Sequence, residues 1–311
     1  MKSLAELFSQ RLYVIPQYQR EYAWEIRHCH DLIEDIELLP VEIEAHYLGP
    51  VMLARGSQKP VLDSTAVRHE VYEIVDGQQR LTTLLLFLLA IRYHIKQYRP
   101  QIANAIAHTY GRKQKITECE NDLKTYIYPL MLNTFCHHFF KTNIIDAQLD
   151  DIEQLSSPSR SSHKRLLDTY SFFLSYLEQC RDKMGTVDEF VTWTINLYGV
   201  ITNKLNFTEE TVDGLLEAGI IFETMNNRGK PISEMDKIKN SVLYLSSKTS
   251  PDDRRLPDLV ENCWEHVLNT LMISSLNDTR HEDQLLRANW LYSQNNNAST
   301  CSTRCGMLAP A

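Results

Sequence analysis

One stretch of the sequence combines residue types that could bind a phosphate at the start of a helix. It is the Asp-Gly-Gln-Gln-Arg sequence of residues 76–80, which a run of apolar residues follows. Asp76 is a good helix N-cap, and Gln79 three positions later completes a variant of the capping box. The free N–H groups of a first helical turn attract anions, and Gly77 would let a ligand approach the backbone closely. The turn is therefore predicted to bind a phosphate group.

The side chains of the same turn indicate how a bound nucleotide could be hydrolysed. Arg80 offers a planar, bidentate donor to phosphate oxygens, and the amides of Gln78 and Gln79 could orient a water molecule or a base edge. Asp76 would repel a phosphate on the same N–H groups, so it is a candidate ligand for a metal, a ribose hydroxyl or a water. The alternative is structural, with Asp76 as a helix cap and Arg80 paired with a surface acid.

A second polar turn lies between helices predicted near residues 211–226 and 233–246. Gly229 can take the left-handed conformation that ends the first helix, and Ser233 with Asp236 can cap the second. The candidate polar side chains in and around this turn are Asn226, Asn227, Arg228, Lys230, Asp236 and Lys239. An ordinary helix–loop–helix with solvated charges is the alternative interpretation.

The segment before the first long helical pattern mixes aromatic and polar residues. It carries Gln19 and Arg20 among three aromatic residues, which are Tyr18, Tyr22 and Trp24. Such aromatic side chains can stack on a nucleobase, although at this spacing they more often pack in the core. Residues 31–44 follow with six acids and without Lys or Arg.

Length, composition and charge limit the class of protein. The 311 residues carry a net charge of −8, so any nucleic-acid contact must be a local patch rather than the whole surface. The seven cysteines include no CxxC pair, which argues against a disulfide framework or a zinc knuckle and fits a reducing cytosol. The sequence shows no signal peptide, and its longest apolar run, residues 84–91, is short for a membrane span. A cytoplasmic protein without membrane contact is expected.

The elements that must position these residues follow from the apolar pattern. Strands are predicted at 47–54 and 70–75, where they could pair as a hairpin, and the second strand leads into a long helix near 77–98. The rest of the pattern is helical almost throughout, with a helix near 119–140 and a strand at 198–207 among the predicted elements.

Three segments, in order, resemble the motifs of one family. Residues 15–24 look like its opening motif, and residues 74–84 are similar to its defining D-G-Q-Q-R box. Residues 222–240 resemble its N-x-R-G-x-P segment. The family is the ParB-like N-terminal domain of GmrSD-type restriction systems, and the three motifs span most of the chain.

The resemblance implies a predominantly helical α+β fold. It implies a small ParB/sulfiredoxin-like mixed α/β core with the first two motifs, which we expect in residues 1–100. A helical domain with the third motif is expected in residues 101–294. Residues 295–311 are rich in Asn, Ser and Thr and are predicted to be a disordered tail.

The resemblance also implies binding and hydrolysis of a nucleoside triphosphate (ATP, GTP, CTP or UTP), tied to restriction of modified phage DNA. The catalytic residues it implies are Asp76, Gln78, Gln79 and Arg80. The chemistry of the turn itself makes Mg²⁺ a candidate metal on Asp76. The nucleotide- and phosphate-binding residues carried over or expected nearby are Gln19, Arg20, Gly77, Thr82, Asn226, Asn227, Arg228, Lys230, Asp236 and Lys239.

Two other functions stay open on the sequence alone. One is a non-catalytic DNA- or nucleotide-binding module that recruits a separate nuclease, and the other is metal-dependent DNA cleavage by the core itself. Many family members continue into an HNH nuclease domain, but no such pattern follows Asp236. The expected partners are therefore DNA and a nuclease subunit or domain, and an oligomer is compatible with the sequence.

Overall fold

A computed structural model describes most of the chain in two compact units, residues 1–222 and 223–311. The described residues are 1–16, 19–39, 44–55, 59–116, 125–147, 155–212, 234–249, 255–274 and 279–305. The fold is α+β and predominantly helical, as the sequence predicts.

The first unit contains all the described strands. They are β1 Lys2–Ser3, β2 Arg11–Val14, β3 His46–Arg55, β4 Val61–Leu62, β5 Arg68–Asp76, β6 Lys113–Gln114, β7 Tyr126–Ile127, β8 Leu130–Met131 and β9 Leu205–Val212. Its helices are α1 Leu4–Leu7, α2 Ile26–Glu37, α3 Gln78–Ile95, α4 Pro100–Ile106, α5 Thr134–Phe140, α6 Ser161–Lys183 and α7 Val187–Gly199. Three π-helical turns, Ala107–Gly111, Lys141–Asp146 and Val200–Lys204, continue α4, α5 and α7.

The main sheet is mixed, with the strand order β1-β9-β3-β5-β2-β8 and with β4 also paired to β5. β3 and β5 are antiparallel, with Leu53 opposite Ile74, which confirms the predicted pairing of these two strands. β2 lies parallel to β5, and β9 lies parallel to β3. The strand that leads into α3 is therefore held on both sides.

Helix α3 forms the centre of the core. Its residues Leu84–Ile91 are at most 1% exposed, as expected for a helix that is apolar on every side. It packs on α6, where the rings of Phe87 and Phe173 stack with centroids 4.3 Å apart. Burying each such side chain stabilises the fold by about 1.5–3 kcal/mol. The first turn of α3 is therefore continuous with a helix that is packed in the core.

Two predicted elements are wrong in part. The helix predicted at 119–140 is interrupted by β7 and β8, and helix α5 begins only at Thr134. Pro129, between these strands, cannot supply a helical N–H, and β8 finds its partner in β2. The strand predicted at 198–207 begins at Leu205, because helix α7 and its π-helical turn occupy the residues before it.

The second unit is helical in its described part. Its helices are α8 Glu234–Thr249, α9 Arg255–Ile273 and α10 Thr279–Cys305. The backbone N–H of Glu234 donates to the Asp283 carboxylate at 2.7 Å, which caps α8 from α10. None of the described helices is long and apolar enough to span a bilayer.

The predicted domain boundaries stay predictions. The main sheet takes strands from beyond residue 100, because β8 and β9 belong to it. Helix α10 enters the tail 295–311, for which the composition predicts disorder, and Asn, Ser and Thr give that part of the helix low intrinsic propensity.

Candidate functional site

The turn between β5 and α3 is capped by Gly77 rather than by Asp76. Gly77 is the N-cap of α3 and has φ +96°, and Asp76 is the last residue of β5. The predicted capping box at Asp76 is therefore wrong. A Cβ on Gly77 would lie 3.0 Å from the Val51 Cγ2 atom, so the close approach of β3 requires glycine here.

Arg80 points from the first turn of α3 onto β3. Its Nη1 donates to the Leu48 carbonyl at 2.5 Å, and its Nη2 donates to the Pro50 carbonyl at 2.7 Å. Nη2 also lies 3.5 Å from the Asp76 carboxylate. Burial lowers the pKa of the guanidinium, and the charge of Asp76 opposes this shift. Arg80 thus ties the helix start to β3.

Gly49 makes this arrangement possible. It has φ +107°, a conformation that L side chains rarely adopt. A Cβ built on it would lie 2.0 Å from the Arg80 Nη1 atom. The guanidinium therefore occupies the space that a side chain at position 49 would need.

Gln79 binds the segment before α2 from the other side of the turn. Its Oε1 accepts a hydrogen bond from the Ala23 N–H at 2.8 Å, and its Nε2 donates to the Glu21 carbonyl at 3.2 Å. The side chain is 7% exposed, so these bonds satisfy groups that water hardly reaches.

Gln78 and Gln19 continue the same contact. The Gln78 Nε2 donates to the Gln19 Oε1 at 3.1 Å, and the Gln19 Nε2 donates to the Val75 carbonyl at 2.9 Å. No hydrogen bond in the described part of the chain uses the Gln78 Oε1. That oxygen remains available to a ligand or a water.

A small polar cavity lies between these amides and helix α5. It has a volume of about 10 Å³, which gives room for about one water molecule. Its lining residues are Ile15, Arg20, Glu21, Tyr22, Gln78, Gln79, Thr82, Leu132, Asn133 and Cys136. Only Arg20 and Glu21 of this set are partly exposed, so they form its mouth.

The Glu21 carboxylate at this mouth is held by the start of α6. Arg160 Nη1 lies 2.6 Å from its Oε1, and the Ser162 hydroxyl donates to its Oε2. The Cys136 thiol donates to the Ser162 oxygen at 3.2 Å, and burial raises the pKa of this thiol. The cavity therefore holds one carboxylate, close to an arginine and to a helix N-terminus.

The structure separates the predicted site residues into three groups. Those that line or support the cavity are Gln19, Arg20, Gln78, Gln79 and Thr82. Asp76, Gly77 and Arg80 lie on the β3 side of the turn. The others lie in the second unit: Asn226, Asn227, Arg228 and Lys230 are outside the described residues, as are the side chains of Asp236 and Lys239.

Sequence reasoning missed several residues of the cavity and its mouth. They are Glu21, Asn133, Cys136, Arg160 and Ser162. Glu21 stands next to Arg20 in the opening motif and could have been found there. The others have no local signal. Within the described ranges, no group of three or more His, Cys, Asp or Glu side chains is placed to hold a metal ion.

Comparison with known proteins adds a family to this geometry. A family model described as the N-terminal domain of the GmrSD restriction endonuclease matches residues 4–243. The match includes the turn at residues 76–80, the cavity and the whole third motif. None of the curated proteins compared with the chain matches it.

Proposed function

The chain belongs to the GmrSD restriction endonuclease N-terminal domain family, and from this membership we propose that it binds and hydrolyses a nucleoside triphosphate within a restriction system. The family makes the chain a module of a restriction system, with a role in phage defence and an interaction with DNA. We propose three further points: that the chain binds a nucleotide, that it hydrolyses it, and that it selects one of ATP, GTP, CTP and UTP.

The observation that carries the proposal is the cavity beside Gln78 and Gln79. Buried amides, a helix N-terminus and an arginine at the mouth are the groups that proteins use to hold phosphate oxygens. The space suits a single water molecule, which is the nucleophile of the reaction. A triphosphate would reach it from the mouth, where Arg20 can neutralise phosphate charge.

Each residue of the cavity then has a role in the proposed reaction. The Gln78 Oε1 orients a water for attack on the terminal phosphorus, and the bond from phosphorus to the bridging oxygen breaks. Glu21 accepts the proton of the water, as the carboxylate in the lining. Arg20 stabilises the charge that develops on the leaving nucleoside diphosphate.

Asp76 and Arg80 take a different role from the one that the family resemblance implies. Arg80 uses its donors on β3 and Asp76, so we propose that it positions the first turn of α3 rather than contacting phosphate. Mg²⁺ at the site would be held mainly by phosphate oxygens and waters, with one carboxylate at most.

Phosphate release tests the proposal directly. The full chain is incubated with each of the four nucleoside triphosphates and Mg²⁺, with and without DNA, and thermal unfolding is followed in parallel. Binding at a hundredfold excess over Kd stabilises the protein by about 2.7 kcal/mol. We expect one nucleotide to give both a shift and turnover, and Glu21→Gln and Gln78→Ala to lower turnover by about tenfold or more.

The matched control is Gln101→Ala, which removes an exposed amide on α4, away from the cavity lining. It should leave turnover unchanged. The proposal would be overturned if none of the four nucleotides gave a thermal shift or phosphate release.

A second function is binding without hydrolysis, with recruitment of a separate nuclease. It is favoured by the fact that Arg80, the cationic residue of the box, is engaged within the fold. A thermal shift without phosphate release, in the presence and absence of DNA, would select this function.

The proposal has four further parts: modified phage DNA as the target, a nuclease partner, a cytoplasmic location and self-association. Metal-dependent cleavage by the core stays the third prediction, for which plasmid nicking is the test.

A further inference from the structure

A groove on the first unit lies between helix α2, strand β3 and helix α3. Its volume is about 190 Å³, below the range of about 300–1,000 Å³ that is usual for drug-sized ligands. Its lining includes Trp24, His28, Asp31, Asp35, Leu48 and Leu84. The space suits one long side chain better than a whole nucleotide.

The groove joins an aromatic surface to two carboxylates. The Trp24 and His28 rings stack with centroids 5.5 Å apart and 19° between their planes. Asp31 and Asp35 are one helical turn apart and exposed, and neither forms a salt bridge or a hydrogen bond with any described residue. Two carboxylates beside an aromatic pair are suited to a planar cation.

The other charged groups nearby leave the groove negative. His28 Nδ1 is engaged at the start of α2, where it lies 3.0 Å from the Glu25 backbone nitrogen and 3.3 Å from the Glu25 carbonyl oxygen. Arg80 also borders the groove, but its charge is paired with Asp76, and its donors go to β3. The carboxylates of Asp31 and Asp35 are therefore not offset by a basic side chain of the groove.

The surroundings extend this charge along α2. Glu34 and Glu37 are exposed on the same helix, and residues 31–44 contain no Lys or Arg. A DNA phosphate would be repelled here, whereas a basic protein segment would be attracted.

We infer that the groove binds an arginine side chain on a basic segment of a partner protein. The guanidinium stacks on the Trp24 indole and donates to the carboxylates of Asp31 and Asp35, while its aliphatic part packs against Leu48 and Leu84. A guanidinium fits better than an ammonium because it is planar and can donate to two carboxylates at once. The inference does not depend on nucleotide binding at the cavity.

A pair of peptides tests the chemistry of the groove on the full chain. The first is acetyl-Gly-Arg-Gly-amide, and the second carries citrulline, which has the shape of arginine without its charge. Binding is followed through the indole N–H signal of Trp24 in ¹H–¹⁵N NMR spectra, assigned by its loss in Trp24→Phe. We expect a saturable shift with the arginine peptide and none with the citrulline peptide.

Charge variants locate the binding on the groove. Asp31→Asn with Asp35→Asn should weaken binding by about tenfold or more, because two charge-assisted contacts are lost. In Trp24→Leu, where binding is followed through the backbone N–H signals of Asp31 and Asp35 instead, it should weaken by about threefold, as expected for an exposed cation–π contact. The control Glu34→Gln with Glu44→Gln removes the same charge from exposed residues outside the groove and should change Kd by less than about twofold.

Four outcomes would overturn the inference. They are equal binding of both peptides, an equal loss in the control variant, no saturable shift with the arginine peptide, and a saturable shift with free nucleosides in its place. The last outcome would identify the groove as a nucleobase site.

Discussion

The two sides of the turn at residues 76–80 use their polar side chains differently. On the β3 side, Arg80 gives its donors to the carbonyls of Leu48 and Pro50 and pairs with Asp76. On the other side, Gln78 and Gln79 hold the segment before α2 and border a cavity.

The comparison shows that charge alone does not identify the ligand contact in such a turn. The charged residue is engaged within the fold, while an uncharged amide keeps an oxygen that no described residue binds. A partly buried guanidinium that already donates to two protein carbonyls is costly to redirect. The side with the amides is therefore where a ligand can be gained without loss of stability.

The largest effect is expected for Gly49→Ala on the β3 side. The new Cβ would meet the Arg80 Nη1 atom at 2.0 Å, and φ +107° would strain any L residue. The free energy of unfolding should fall by about 3–5 kcal/mol, measured by urea denaturation.

Gly199→Ala is the control for this variant, because nothing lies within 4 Å of a Cβ built there, at the end of helix α7. It should stabilise the protein by about 0.5–1 kcal/mol. In an Arg80→Ala background the cost of Gly49→Ala should shrink, since the clash is removed. Equal stability of the two glycine variants would contradict the close contact between Gly49 and Arg80.

Arg80→Ala tests whether the Arg80 hydrogen bonds hold the first turn of α3 against β3. Loss of the guanidinium leaves the carbonyls of Leu48 and Pro50 without their charged donor, so the unfolding free energy should fall by about 2–3 kcal/mol. The control Arg27→Ala removes an exposed arginine and should change it by less than about 0.5 kcal/mol. An Arg80→Ala protein that stays stable and loses nucleotide binding would make Arg80 a phosphate ligand after all.

The local elements of this comparison could be predicted from the sequence. The apolar pattern is enough for β3, β5 and α3, because alternation and a long apolar run are properties of neighbouring residues. The same pattern predicts the D-G-Q-Q-R box at the turn between β5 and α3, where it lies.

The contacts that shape the site could not be predicted in this way. Gly77 rather than Asp76 caps α3 because β3 lies against the turn, and the sequence of the turn does not contain that information. The Glu21–Arg160 pair joins residues 139 positions apart. Only the fold of the whole unit brings such residues together.

Gln79→Ala tests the opposite side of the turn. The Ala23 N–H and the Glu21 carbonyl lose their partners, and both hydrogen bonds are part-buried, so a loss of about 1–2 kcal/mol is expected. The loss should be smaller than that of Arg80→Ala, because both bonds are between neutral groups. Urea denaturation of both variants in the same buffer measures the two losses in unfolding free energy. A larger loss for Gln79→Ala than for Arg80→Ala would contradict the prediction.

Asp76→Asn should have the smallest effect on stability and separates two roles of this carboxylate. Its contact with Arg80 is 3.5 Å long, and its side chain is 34% exposed, so the loss should stay below about 1 kcal/mol and shrink at high salt. If Asp76 only pairs with Arg80, the Mg²⁺ concentration needed for half-maximal phosphate release is unchanged in the variant. If that concentration rises about tenfold or more, Asp76 holds the metal, as the residue types of the turn predict, and the β3 side of the turn takes part in the chemistry.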